Sequence, residues 1–217
     1  MAERGKYIVI EGVDGTGKST QAEMLVNSLK VGGINAYEVA EPGATAIGQH
    51  IRTLIKNGDI ARDPVTNLLL FTADRLETWK HIIKPTLESG SWVVAARNWF
   101  SSYAYQGYGE GVDLSLIEDT TRQIVGKDYL TPDFSIVLNN NNLAELQNRI
   151  HSRADDDSAK DNFEQKDLHF KHRIGLGYSA IGALLANVAI MTDGKRIEEV
   201  HELILWHLNS LNTEKDK

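Results

Sequence analysis

The chain has 217 residues, 41% hydrophobic and 24% charged, which is long enough to bury a sizeable core in one globular domain. A formal net charge of −7 excludes a general binder of polymeric nucleic acid, and the lack of cysteine excludes disulfides and thiolate metal sites. No apolar run approaches the ~18 residues that cross a bilayer. With the polar stretch Met1–Lys6, this predicts no signal peptide, no membrane partner and a cytoplasmic protein.

Tyr7–Glu11 is a short β-rich run that leads into a glycine-rich turn and then a helical pattern through Met24, Leu25 and Leu29. Ala36–Ala40, after the Gly32-Gly33 turn, predicts a second strand. Ile47–Ile55 and Asn67–Leu87 read as helices, the longer one ended by Ser89-Gly90. Trp92–Ala96, Phe134–Leu138 and Val188–Met191 are continuous apolar runs of strand length. The asparagines Asn139–Asn142 predict a solvated strand end or turn. Ser152–Asn162 carries Asp155-Asp156-Asp157 and little that is apolar; it is either a mobile surface loop or a lid over a phosphate site, with Phe163 at its border. Asn212–Lys217 predicts a frayed tail. Short apolar strands alternating with helices predict an α/β fold, a doubly wound three-layer sandwich with a five-stranded parallel sheet covered on both faces. No internal repeat or composition shift divides it, so residues 1–217 are expected to form one domain.

Gly12-Val13-Asp14-Gly15-Thr16-Gly17-Lys18-Ser19 matches G-x-x-x-x-G-K-[ST] between a predicted strand and a predicted helix. Successive N–H groups of such a loop turn inward and cradle phosphate oxygens, and the helix adds its positive N-terminal dipole. Gly12, Gly15, Thr16, Gly17, Lys18, Ser19 and Thr20 are therefore the expected ATP-binding residues, with Lys18 on the β and γ phosphates and the Ser19 hydroxyl on Mg2+.

Four further segments resemble thymidylate kinases, in order and spacing, from residue 7 to about residue 205. Glu41-Pro42-Gly43-Ala44-Thr45 is similar to the family's E-P-G-G-T turn, and Leu69-Leu70-Phe71-Thr72-Ala73-Asp74-Arg75 to its L-L-F-x-A-D-R helix. Arg97 with Ser101-Ser102-Tyr103-Ala104-Tyr105-Gln106-Gly107 is similar to D-R-Y-x-x-S-S-x-A-Y-Q-G, and Asp193-Gly194 with Ile197-Glu198-Glu199-Val200 resembles the closing strand and helix. The resemblance implies a P-loop NTPase fold and phosphoryl transfer from ATP to a deoxypyrimidine monophosphate, dTMP to dTDP, by a homodimer. The apolar face of the Asn67–Leu87 helix is the candidate interface. It implies that Phe71 stacks on the base, that Arg75 and Gln106 meet the pyrimidine edge, and that Tyr105 crowds the 2′ position of the sugar. Asp14 would accept from the 3′-hydroxyl, with Arg97 and Ser101 in the acceptor site and Arg97 on the acceptor phosphate. Gly15 and Thr16 are not basic, so the lid has to supply the arginine that stabilises the transferring phosphoryl group; Arg153 is the first choice, ahead of Arg149 and Lys160. Lys18, Arg97 and Arg153 are the expected catalytic residues.

The chain departs from the family pattern where charge is dense. Ala96 precedes Arg97 where the family has aspartate, which removes a carboxylate that would help organise magnesium. Ala40 stands before the E-P-G turn where arginine is common, Asp161-Asn162-Phe163-Glu164 resembles D-R-F-E without its arginine, and Arg173-Ile174-Gly175 resembles R-V-R. These changes leave open a sister kinase for another or modified deoxynucleotide, or a nucleotide-binding homologue with weak or lost turnover.

Overall fold

In the computed structural model, which describes residues 3–151, 163 and 166–214, five parallel strands form one sheet in the order β2-β3-β1-β4-β5. They are β1 (Tyr7–Gly12), β2 (Ala36–Ala40), β3 (Trp92–Ala96), β4 (Phe134–Asn139) and β5 (Val188–Met191). β1 lies in the middle, with Ile10 opposite Ala96 on one side and Gly12 opposite Leu138 on the other. Helices cover both faces, so the central strands β1, β3 and β4 are buried at nearly every position rather than at alternate ones, whereas β2 exposes Tyr37 and Glu38. Alternation still sorts their side chains. Tyr7, Val9, Val93, Ala95 and Val137 pack into one core, and Ile8, Ile10, Val94, Ala96, Ile136 and Leu138 into the other.

The second core is closed by α1 (Lys18–Val31), through Ala22, Leu25 and Leu29, and by α10 (Ile197–Glu214), through Val200, Ile204 and Leu208. The first core takes Leu68 from α3 (Pro64–Thr78), Ile117 from α6 (Leu114–Ile124), and Ile174, Tyr178 and Ile181 from α9 (Leu168–Leu184). Burying each such aliphatic side chain contributes roughly 1.5–3 kcal/mol. α2 (Ala46–Lys56) packs on α3 beside the cleft. Short helices α4 (Lys84–Glu88), α5 (Trp99–Ser102), α7 (Lys127–Leu130) and α8 (Leu143–His151), with π-helical turns at Trp79–Ile83 and Tyr103–Gly109, complete the described elements. Among these residues no helix is long and apolar enough to cross a membrane.

Three local expectations need correction. The helix read as Asn67–Leu87 begins at Pro64, capped by Asp63, and is interrupted by a π-helical turn at Trp79–Ile83 before α4. Pro85 has no N–H for the carbonyl four residues back, and a widened turn absorbs that defect. The asparagine run is not simply solvated. Asn140 is buried, with Nδ2 3.2 Å from Thr192 Oγ1 and Oδ1 accepting from Asn142 N at 2.8 Å. The tail is helical as far as Glu214. Of the expected lid, Ser152–Asn162 lies outside the described residues, and Phe163 is buried.

Candidate active site

β1 ends in the glycine-rich loop because only glycine fits there. Gly12 has φ 145°, and a Cβ on it would lie 2.2 Å from the Leu138 carbonyl oxygen. Gly15 and Gly17 also have positive φ, so the loop turns tightly into α1. Thr16 Oγ1 donates to Val13 O at 2.8 Å and braces the turn. α1 has no acidic residue in its first turn, which leaves its positive end open to an anion. Lys18 is buried; its Nζ donates to Val13 O at 2.8 Å and lies 3.6 Å from Asp14 Oδ1. Burial, and then Arg97, push its pKa down to about 8 against the pull of Asp14. Ser19 is exposed beside it and Thr20 half-buried.

Glu11, fully buried at the end of β1, organises the next layer. Its Oε1 accepts from Asn98 N (2.8 Å), Ser101 N (3.0 Å) and Ser101 Oγ (2.8 Å), and its Oε2 accepts from Tyr178 Oη (2.9 Å). The carboxylate thus holds the N-terminus of α5 against β1, with the positive end of that helix aimed at it. Arg97 precedes Asn98, the N-cap of α5. Its guanidinium donates to Ser101 Oγ (3.2 Å) and Tyr178 Oη (3.4 Å) and pairs with Asp14. Burial works against charge on Arg97, but Asp14, Tyr105, Tyr178 and Glu11 together outweigh it and hold the guanidinium above its ordinary pKa. Asp14 also accepts from Tyr105 Oη at 2.9 Å. Burial would raise this carboxyl, yet Arg97 and Lys18 draw it well below the usual carboxylate range.

A cavity of about 190 Å³ opens from this charged wall. Phe71 and Gln106 line it, and so does Phe163, which packs edge-on against Tyr105 with ring centroids 5.5 Å apart. Arg75 also borders it. Its Nη1 and Nη2 donate to Ser102 Oγ (2.8 Å) and Asn98 O (3.0 Å), and its guanidinium lies 5.5 Å from the Phe71 ring centre. Glu41 stands 3.6 Å from Arg75 Nε and accepts from Tyr129 Oη at 2.6 Å; burial pushes its carboxyl up to about 8 despite Arg75.

Asp14, Phe71, Arg75, Arg97, Ser101, Tyr105 and Gln106 all line this one cavity, while the residues expected to bind ATP lie at the end of β1, in the glycine-rich loop and at the start of α1. Arg153 and Lys160 lie outside the described residues. Arg149, on α8, is engaged by Glu145. Glu41, Arg52, Lys56, Asp74 and Phe163 share the cavity without having been singled out as site residues; Glu11 and Tyr178 support it from behind. A carboxylate inside an apolar strand run was the available signal for Glu11. No group of three His, Cys, Asp or Glu side chains forms a metal site among the described residues. Magnesium in phosphate sites takes one or two protein groups plus phosphate oxygens and water, so the exposed Ser19 hydroxyl fits it.

A central parallel strand feeding a glycine-rich anion cradle, with a second, arginine-bearing cavity at the carboxyl ends of the strands, defines a P-loop nucleotide-binding protein of the α/β class. The family model for thymidylate kinase matches residues 10–204. A thymidylate kinase of Halothermothrix orenii is 35% identical over 201 residues, covering 93% of this chain and 95% of its own. One from Dichelobacter nodosus is 37% identical over 210 residues, covering 96% and 99%. The crystal structure of thymidylate kinase from Ehrlichia chaffeensis superposes with a TM-score of 0.72 at 27% identity, covering 94% of this chain and 99% of that one. The chain belongs to the thymidylate kinase family.

Proposed function

We propose that this protein transfers the γ-phosphoryl group of ATP to thymidylate, giving dTDP and ADP. The observation that carries the reading is the placement of Asp14. It pairs with Arg97 and Tyr105 on the cavity side and lies 3.6 Å from Lys18 on the loop side, so the two sites share one wall. An oxygen of the thymidylate phosphate attacks the γ-phosphorus, the bond to the β,γ-bridging oxygen breaks, and ADP leaves with the electron pair. Little covalent help is needed, so the chain's task is positioning and charge neutralisation. In this reading Lys18 and the loop N–H groups hold the β and γ phosphates, Arg97 grips the acceptor phosphate with its planar fork, and Asp14 accepts from the 3′-hydroxyl. Phe71 faces the base, Arg75 and Gln106 read its edge, and Tyr105 closes the 2′ side of the sugar. Ser19 would hold a magnesium ion whose charge offsets the two donor phosphates. Arg153 is assigned the charge of the transferring group. A homodimer belongs to the same reading. Most of the apolar face between residues 67 and 87 is buried in the chain's own core, but Val65, Leu69 and Leu116 present exposed apolar surface on α3 and α6.

The test is ADP release with ATP and a panel of thymidylate, deoxyuridylate, uridylate and deoxyguanylate. Thymidylate should be the best acceptor and uridylate poor, and Lys18→Ala should cut turnover by about 10²–10³-fold in a folded protein. A purine monophosphate as best acceptor, or unchanged turnover in Lys18→Ala, contradicts the reading.

A further inference from the structure

One wall of the cavity ends a hydrogen-bond chain whose direction is set by chemistry. The chain starts at Arg62, between α2 and α3. There Nη1 donates to the carbonyls of Leu54 (3.0 Å) and Ile60 (3.0 Å), Nη2 to Ile55 O (2.8 Å), and Nε to Asn67 Oδ1 (2.8 Å). A guanidinium only donates, so Asn67 has to face it with its carbonyl oxygen and turn its NH2 away. That NH2 meets Glu110 Oε1 at 2.8 Å. The other oxygen, Glu110 Oε2, accepts from Gln106 Nε2 at 3.1 Å. An ionised carboxylate only accepts, so Gln106 is held with its NH2 on Glu110. Its Oε1 has no partner among the described residues, and Gln106 lines the cavity. Asn67 and Gln106 are buried and Glu110 half-buried, which leaves little room for water to substitute for any member. Burial raises the Glu110 carboxyl, and the hydrogen bonds from Gln106 and Asn67 draw it back towards the charged form.

We propose that Glu110 is a positioning residue that sets base specificity: it fixes the Gln106 amide so that a carbonyl oxygen, not an NH2, faces the base. A base with an N3–H, such as thymine or uracil, donates to that oxygen. Cytosine presents an acceptor at N3 and meets it acceptor to acceptor. This inference rests on the reading of the cavity as the acceptor-nucleoside site.

Glu110→Gln tests it with almost no change of shape. A glutamine offers one acceptor and one donor to two neighbours that both donate. Asn67 is pinned by Arg62, so Gln106 is the partner that turns. Calorimetric binding of thymidylate and deoxycytidylate reads the base site whether or not phosphoryl transfer occurs, which separates this idea from the kinase reading. Wild type should favour thymidylate, and in Glu110→Gln that preference should fall about tenfold. In turnover assays the loss should appear in KM for thymidylate, with kcat within about twofold of wild type, as expected for an effect on ground-state binding. Asn67→Ala, which removes the outer support, should shift the preference the same way and by less. A folded Glu110→Gln protein with the wild-type preference overturns the proposal. Should that variant fail to fold, an unchanged preference in Asn67→Ala overturns it instead, and a wild-type protein that binds neither nucleotide overturns both readings.

Discussion

Arg97 is the one non-glycine residue with positive φ, 81°, among those described. A left-handed backbone costs an L-residue roughly 1–2 kcal/mol, and Arg97 is held there by its N–H on Ile10 O at 3.1 Å and by the anchored start of α5. The strain and the guanidinium can be separated. Arg97→Ala and Arg97→Gly should both lower kcat/KM for thymidylate, by at least about tenfold. Arg97→Gly should also be more stable than Arg97→Ala by about 1 kcal/mol in denaturant titrations, since glycine relieves the backbone. Equal stability of the two would remove the strain argument. Lys18 gives a pH signature. Its folded value of about 8 lies below the ordinary 10.5, so in that window the unfolded chain holds a proton that the fold has shed. Its contribution to stability therefore grows as pH rises from about 8 to 10.5. Nucleotide binding runs the other way, because the donor phosphates need the charged form. KM for ATP should climb above pH 8 while binding of thymidylate, governed by Arg97, stays level; a flat KM for ATP would contradict this.

At the scale of elements, the strands were legible because the middle of the sheet is buried on both faces, so β3, β4 and β5 read as apolar runs and β1 as a β-rich one, while β2 was marked by the Gly32-Gly33 turn before it. The observed limits differ from the sequence reading by one residue, Gly12 for Glu11 and Asn139 for Leu138. The P-loop was legible because its chemistry lies in eight consecutive positions. What was not legible depends on distant partners. Asn67–Leu87 was read as one helix through Pro85, and the π-helical turn that accommodates the proline is settled by packing. Phe163 looked like part of a polar lid, yet it finds Phe71, Tyr105 and Phe170 across the fold. Nothing in the local sequence pairs Glu110 with Asn67, 43 positions away. Ala96 shows how an element modifies a residue-level idea. It ends β3 and is buried with Ile10, Ala22 and Leu138, against the face that carries α1. Ala96→Asp should therefore cost about 1–3 kcal/mol of stability without nucleotide, as a carboxylate enters an apolar layer. With MgATP it should lower the magnesium concentration for half-maximal rate and raise turnover by roughly 10–100-fold, the range for an outer partner of a metal. No change in either quantity, in a folded variant, means that the missing carboxylate does not limit the enzyme.

Across the whole molecule, the sheet order places the cradle on the central strand, with the acceptor cavity towards β3 and β2 and the α9 side chains behind it. The site is thereby tied to both cores at once, and Glu11 is the tie. Its donors come from Asn98 and Ser101, about 90 positions later, and from Tyr178, 167 positions later. During synthesis the first strand therefore emerges with a carboxylate that has only the neighbouring Gly12 N–H, at 3.3 Å, as a local donor, and a buried charge short of partners is among the costliest states a chain can adopt. β1 has reason to stay hydrated until α9 has been made, although its neighbours Ile8, Val9 and Ile10 favour early burial. A nascent chain stopped before residue 178 would lack the hydroxyl that completes the set. The hydrogen bonds that anchor α5 beside Arg97 can thus be completed only once most of the chain has been made.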